Sequence, residues 1–246
     1  MRTSNWLELF GTPRLFIFAG HYGSGKSEIS VQFARVLATS GKKVLMADMD
    51  IVNPFFRSLD ARALLEREGI RVAAPLFANT NVDVPAMVPE VSTALRDPSM
   101  HVVLDVGGDG DGARVLGRYH RDIEQAGLAM VFVFNASRPM TRNAETAAVL
   151  MDEIEFASRQ RFTHILNNTH LLGETTWEII RGGELEAGRL AEMKGLPLAA
   201  SVMEECLQTA GNPSGEGIPF LQTAGNPSGE GIPWVAIQRT LGVSFG

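Results

Sequence analysis

A chain of 246 residues, 45% hydrophobic and 20% charged, has ordinary globular composition and enough apolar residues for one large α/β core. Its 22 basic and 28 acidic residues leave a net charge of −6 with no basic run, which argues against direct nucleic-acid binding. The single cysteine, Cys206, excludes an intrachain disulfide and any Cys-based metal site within one subunit.

The N-terminus lacks the apolar stretch of a signal peptide. No apolar run approaches the roughly 20 residues that span a bilayer. These features predict a soluble, cytoplasmic protein without a membrane span. Strand and helix patterns alternate without a polar linker, so we expect a single domain over residues 1–246.

Residues 1–14 form a lead-in whose Trp6, Leu7, Leu9 and Phe10 cover an edge of the core. Leu15 to Ala19 is apolar and predicts a short buried strand; Glu28 to Thr39 predicts a helix. Between them runs Gly20-His21-Tyr22-Gly23-Ser24-Gly25-Lys26-Ser27, which is G-x-x-x-x-G-K-[ST], the phosphate-binding loop. Glycines let the backbone curl and bring its N–H groups close to phosphate oxygens. The helix start aims its positive end at the same place. Lys26 would reach the β- and γ-phosphates, and the Ser27 hydroxyl would ligate Mg²⁺. Glu28 follows directly in the first helical turn. The alternative is a glycine-rich turn that matches by accident.

Ser40-Gly41 predicts a helix C-cap, and Val44 to Asp50 a second strand ending in two acids, Asp48 and Asp50. Ligands of open α/β sheets gather outside the carboxyl ends of strands. One acid could hold Mg²⁺ through water while the other orients an attacking water; both could also merely cap the next turn. Asn53-Pro54 forces a loop, and Arg57 could meet a phosphate. A helix is predicted over Leu59–Arg67, a strand over Ile70–Ala74 and a helix over Pro85–Leu95. His101 to Asp105 is an apolar strand closed by an acid, the Walker B pattern, followed by Gly107-Gly108. The backbone of Gly108 could approach a γ-phosphate.

A helix from Asp111 to about Ala126 and a buried strand, Leu128–Phe134, come next. Thr141–Gln160 predicts an amphipathic helix with Thr141 as its N-cap. Phe162–Leu166 predicts a strand that runs into Asn167-Asn168-Thr169. A side-chain amide there suits the donor and acceptor edge of adenine, or closes a turn. Thr176–Gly195 predicts a helix interrupted near Gly182-Gly183, and Leu196–Ala200 the last core strand. The fold class is therefore α/β: three layers, with a mostly parallel sheet of about seven strands and helices on both faces. His101, His120, His164 and His170 share no ligand spacing and are taken as structural. The thirteen residues 207–219 recur identically at 221–233, a duplication too short for a solenoid. Asn212, Pro213 and Asn226 within it could line a base pocket.

GHYGSGKS, VLMADMDIVNP, VVLDVGG and ILNNT, in that order, resemble the MinD/ParA/CobQ/CobB-like group of P-loop nucleotide-binding proteins over residues 13–205. The resemblance implies that Lys26 and Ser27 serve phosphate and Mg²⁺. It casts Asp50 as the first switch acid that orients water, and Asp105 as the Walker B acid with Gly108 at the second switch. Asn167 or Asn168 then reads adenine. Gly20 to Glu28 form the nucleotide cradle, with Ser27, Asp50 and Asp105 around the metal. In that group the loop reads G-K-G-G-x-G-K-[ST], and its early lysine crosses a homodimer to the partner's nucleotide. Here His21 holds that place and Tyr22 replaces a glycine.

The leading expectation is an ATP-binding and ATP-hydrolysing switch that uses Mg²⁺ and an unknown protein partner, with a homodimer as a possible form. One alternative is an ATP-dependent small-molecule ligase or kinase with its acceptor near Asp50, Asn53 and Arg57. The other is a nucleotide-binding partner protein with little hydrolysis.

Overall fold

The computed structural model describes residues 6–49, 59–73, 89–108, 110–117, 120–204, 232 and 234–237. Its strands are β1 (Leu15–Ala19), β2 (Lys43–Asp48), β3 (Arg71–Ala73), β4 (Met100–Val106), β5 (Leu128–Phe134), β6 (His164–Asn167), β7 (Leu198–Glu204) and β8 (Trp234–Ile237). They form one sheet in the order β3-β2-β4-β1-β5-β6-β7-β8, with every neighbouring pair parallel. The helices are α1 (Lys26–Thr39), α2 (Leu59–Arg67), α3 (Pro89–Arg96), α4 (Gly110–Gly117), α5 (His120–Ala126), α6 (Ala144–Ser158) and α7 (Trp177–Lys194).

Strand alternation divides the core into two layers. Phe16 and Phe18 of β1, Met46 of β2, Val103 of β4 and Val131 and Val133 of β5 pack with Ile29, Phe33 and Leu37 of α1. Leu15 and Ile17, Leu104, Phe132 and Phe134 face the other way, onto Val91 of α3, Ala113 of α4, Met151 and Ile154 of α6 and Leu190 of α7. Phe33 is the hub of the first layer: its ring lies 4.6 Å from that of Phe16, 5.5 Å from Phe10 and Phe18, and 6.2 Å from Trp6. The lead-in thus covers the core as expected.

Several sequence expectations are corrected. The expected α/β, mostly parallel sheet of about seven strands is present; among the described residues it gains an eighth strand, because β8 follows the second copy of the repeat and pairs with β7. Leu196–Ala200 is therefore neither the last strand nor its full extent. Thr141 is not the cap of α6. It sits in a 3-10 turn and donates to Asn135 O at 2.7 Å, while Asn143 caps the helix by accepting from Thr146 N at 2.9 Å. The helix predicted over Asp111–Ala126 is two helices, α4 and α5. α7 runs through Gly182-Gly183 without a break. Apart from Ile232, the repeats at 207–219 and 221–233 lie outside the described residues, as do Asp50, Asn53 and Arg57. No helix among the described residues is long and apolar enough to cross a membrane.

Candidate functional site

The phosphate-binding loop leaves β1 at Gly20, a buried residue with no room for a side chain. A Cβ there would lie 2.5 Å from Val133 O and 3.0 Å from Ser24 Oγ. The loop closes on itself where Ser24 N donates to His21 O at 3.0 Å. Gly23 and Gly25 have φ of 74° and 87°, in the left-handed region where any side chain costs about 1–2 kcal/mol. Gly25 is the N-cap of α1, and no side chain caps that helix. Its start therefore keeps the character of an anion site, with backbone N–H groups and the positive end of the dipole together. Lys26 opens the helix and is only 5% exposed. Ser27 and Glu28 are half-buried in the first turn.

Asp48 ends β2, and its Cα is in register with that of Asp105 in β4. Both carboxylates are fully buried and, by strand alternation, project to the α1 side of the sheet. Met49 N donates to Asp105 O at 2.7 Å, which holds the chain leaving β2 against β4. Beyond β4, Gly108 lies directly on the backbone of Gly20, with the His21 Cα 3.0 Å from where its Cβ would be. Two buried acids on adjacent strand tips repel unless cations share them. Lys26, at the start of α1, supplies a cation at the same end of the sheet. The Ser24 hydroxyl, buried in the loop, has no hydrogen-bond partner among the described residues, as expected of a cradle built for an added acceptor or donor.

Residues 15–178 match the family model described as the CobQ/CobB/MinD/ParA nucleotide binding domain. The chain belongs to this family. No curated protein matches it. Among solved structures, the CobQ/CobB/MinD/ParA domain resembles the cell division protein FtsY of Thermotoga maritima, at 19% identity and a TM-score of 0.53 over 78% of this chain and 66% of that one. It also resembles the chloroplast FtsY of Physcomitrella patens, at 16% identity and a TM-score of 0.52 over 80% of this chain and 65% of that one. A signal recognition particle 54 kDa protein from Aeropyrum pernix K1, solved in complex with GDP, matches at 19% identity and a TM-score of 0.48, over 78% of this chain and 41% of that one. The domain thus spans less than two thirds of each of these three chains. At such identities the likeness to the two FtsY structures shows the fold alone, a parallel α/β domain, and the family match supplies its nucleotide-binding class.

One side chain that the sequence reading passed over, Arg138, braces the loop of this family member, and His170, which that reading took as structural, lies against it. Arg138, in the turn after β5, donates from Nε to Gly23 O at 2.7 Å. His170, after β6, brings Nε2 to 3.4 Å from where a Gly25 Cβ would be. Their only sequence signal is position: both follow strands that end beside the loop, where open α/β sheets gather their ligand contacts.

The two candidate base-reading asparagines point to opposite faces. Asn168 donates from Nδ2 to Ser24 O at 2.8 Å, and its Oδ1 makes no hydrogen bond among the described residues. Asn167 is fully buried and committed to the protein: Nδ2 donates to Ser201 Oγ at 3.1 Å, and Oδ1 accepts from Thr169 N and Thr169 Oγ1 at 3.2 and 2.7 Å. His21 donates from Nδ1 to Tyr22 O at 2.8 Å, and Tyr22 is 56% exposed. Gly20 through Glu28, Asp105, Gly108 and Asn168 therefore meet at one end of the sheet, and Asn167 lies behind them.

Proposed function

We propose that this domain binds ATP with Mg²⁺ and hydrolyses it slowly, as a cytoplasmic switch that engages a protein partner. The observation that carries the reading is the buried Lys26 at a glycine-capped helix start, at the same sheet edge as the in-register pair Asp48 and Asp105. Mg²⁺ would neutralise charge on the β- and γ-oxygens. Ser27 and Asp105 would order its shell, and Lys26 would hold the β- and γ-phosphates. Asp50 would orient the attacking water. Gly108, already against the loop, would offer its N–H to the terminal phosphate. Asn168 Oδ1, without a hydrogen-bond partner among the described residues, would accept from a base amino group. ATP is preferred because the Asn-Lys-x-Asp signature of guanine readers is absent; the stretch reads Asn167-Asn168-Thr169-His170.

The test is calorimetry with Mg-ATP and Mg-GTP. Lys26→Ala should weaken binding roughly 10- to 100-fold, the worth of a charge-assisted phosphate contact. Unchanged affinity in that variant removes the reading, and equal or tighter binding of GTP replaces the base assignment. A mass measurement with and without ATP tests the homodimer.

A second reading, nucleotide binding without useful hydrolysis, draws on His21. It stands where relatives place a partner-reaching lysine, and its Nδ1 is tied to Tyr22 O. Single-turnover phosphate release, with Asp50→Ala as control, separates the two: equal rates in both proteins favour binding alone.

A further inference from the structure

Behind the loop lies a buried chain of polar groups that nucleotide chemistry leaves unused. Ala136 N donates to Thr169 Oγ1 at 3.0 Å, and Thr169 Oγ1 donates to Asn167 Oδ1 at 2.7 Å. Asn167 Nδ2 donates to Ser201 Oγ at 3.1 Å, and the Ser201 hydroxyl faces the Glu184 carboxyl, whose charged form it favours. The Thr169 hydroxyl accepts once and donates once; the Ser201 hydroxyl accepts from Asn167 and keeps its proton for the Glu184 side. The chain therefore has one direction, from a backbone N–H after β5 to an acceptor on α7.

Glu184 is 4% exposed, a costly place for a carboxyl that serves packing alone. α7 comes this close because of Gly183, where a Cβ would run into the Thr169 side chain. That contact accounts for a glycine at position 183 in the middle of the helix. The chain ends next to both braces of the loop. Asn168, adjacent to Asn167, donates to Ser24 O, and Arg138, two residues beyond Ala136, donates to Gly23 O.

We propose that Glu184 is a positioning residue for the phosphate-binding loop, acting through Ser201, Asn167 and Thr169 to hold the β5 and β6 tips from which Arg138 and Asn168 reach it. This rests on the reading of that loop as a nucleotide site. A carboxyl or an amide can terminate the chain, since either accepts from Ser201. An alkyl group cannot, and the Ser201 hydroxyl is then released to turn.

The experiment compares wild type with Glu184→Gln, Glu184→Leu and Ser201→Ala by hydrogen exchange of residues 20–25 and 168–170 in the nucleotide-free protein. Melting temperature and Mg-ATP affinity are measured alongside. In Glu184→Leu and Ser201→Ala, exchange of both segments should rise about tenfold, the equivalent of one lost hydrogen bond. The melting temperature of Glu184→Leu should hold or rise, because a buried carboxyl is replaced by an apolar group. Glu184→Gln should exchange at the wild-type rate. If Glu184→Leu does not fold, Ser201→Ala carries the test. Wild-type exchange in the folded variants overturns the proposal, as does failure of Glu184→Gln to restore it. A wild-type protein that takes up no nucleotide, while its loop exchange responds as stated, sinks the functional reading and leaves the positioning role standing.

Discussion

Gly108 rests on the carbonyl of Gly20, so the tip of the acid-bearing strand β4 and the first residue of the phosphate-binding loop touch backbone to backbone. A methyl group at Gly108 would enter space held by the Gly20 carbonyl, and neither backbone can yield cheaply. Gly108→Ala should destabilise the protein by about 1–3 kcal/mol, the usual cost of overpacking. It should also lower nucleotide affinity, because Gly20 moves with the loop. Thermal melts and calorimetry check both effects. A variant normal in both would mean that tip and loop part without cost.

Asn168→Ala removes the donor to Ser24 O in a buried setting. The orphaned carbonyl should cost about 1–3 kcal/mol. Arg138→Ala, on the more open side, should cost less, about 1 kcal/mol. Urea unfolding of both variants gives the comparison, and the reverse order would place the stronger brace at Gly23.

Burial pushes the Glu184 carboxyl up to about 7 from an ordinary value of 4.5, against the pull of the Ser201 hydrogen bond and the Arg181 charge. The folded protein therefore holds a proton that the unfolded chain has released between these two values. In that window stability falls as pH rises, by about 3 kcal/mol over the full shift. Denaturation at pH 5 and pH 8 should show this loss in wild type, and Glu184→Gln should lack that component. Identical pH profiles for the two proteins would assign the loss to other groups.

Phe33→Ala empties the centre of the aromatic cluster on the α1 face, where the ring meets Trp6, Phe10, Phe16 and Phe18. The expected loss is about 3–5 kcal/mol. Because α1 carries Lys26 at its other end, nucleotide binding should weaken only to the extent that the helix unfolds. Denaturation with and without saturating nucleotide measures this, and a binding loss in fully folded protein would show that the cluster also sets the position of the helix.

Local chemistry made much of this protein legible in its residue order. Short apolar runs marked seven of the eight described strands, and the spacing of Gly20, Gly25, Lys26 and Ser27 marked the loop, because backbone curvature and phosphate charge impose that spacing wherever the site occurs. Tertiary structure alone decided the rest. β8 depends on pairing across a long connection. The glycine at position 183 of the unbroken α7 answers to Thr169, which fills the space that Gly183 leaves. Asn167 and Asn168 look equivalent as neighbours, but the strand's two-residue period turns one toward Ser24 and the other toward Ser201. Arg138 and Glu184 carry no local pattern at all, since their roles come from partners more than a dozen residues away that only the folded sheet brings within reach.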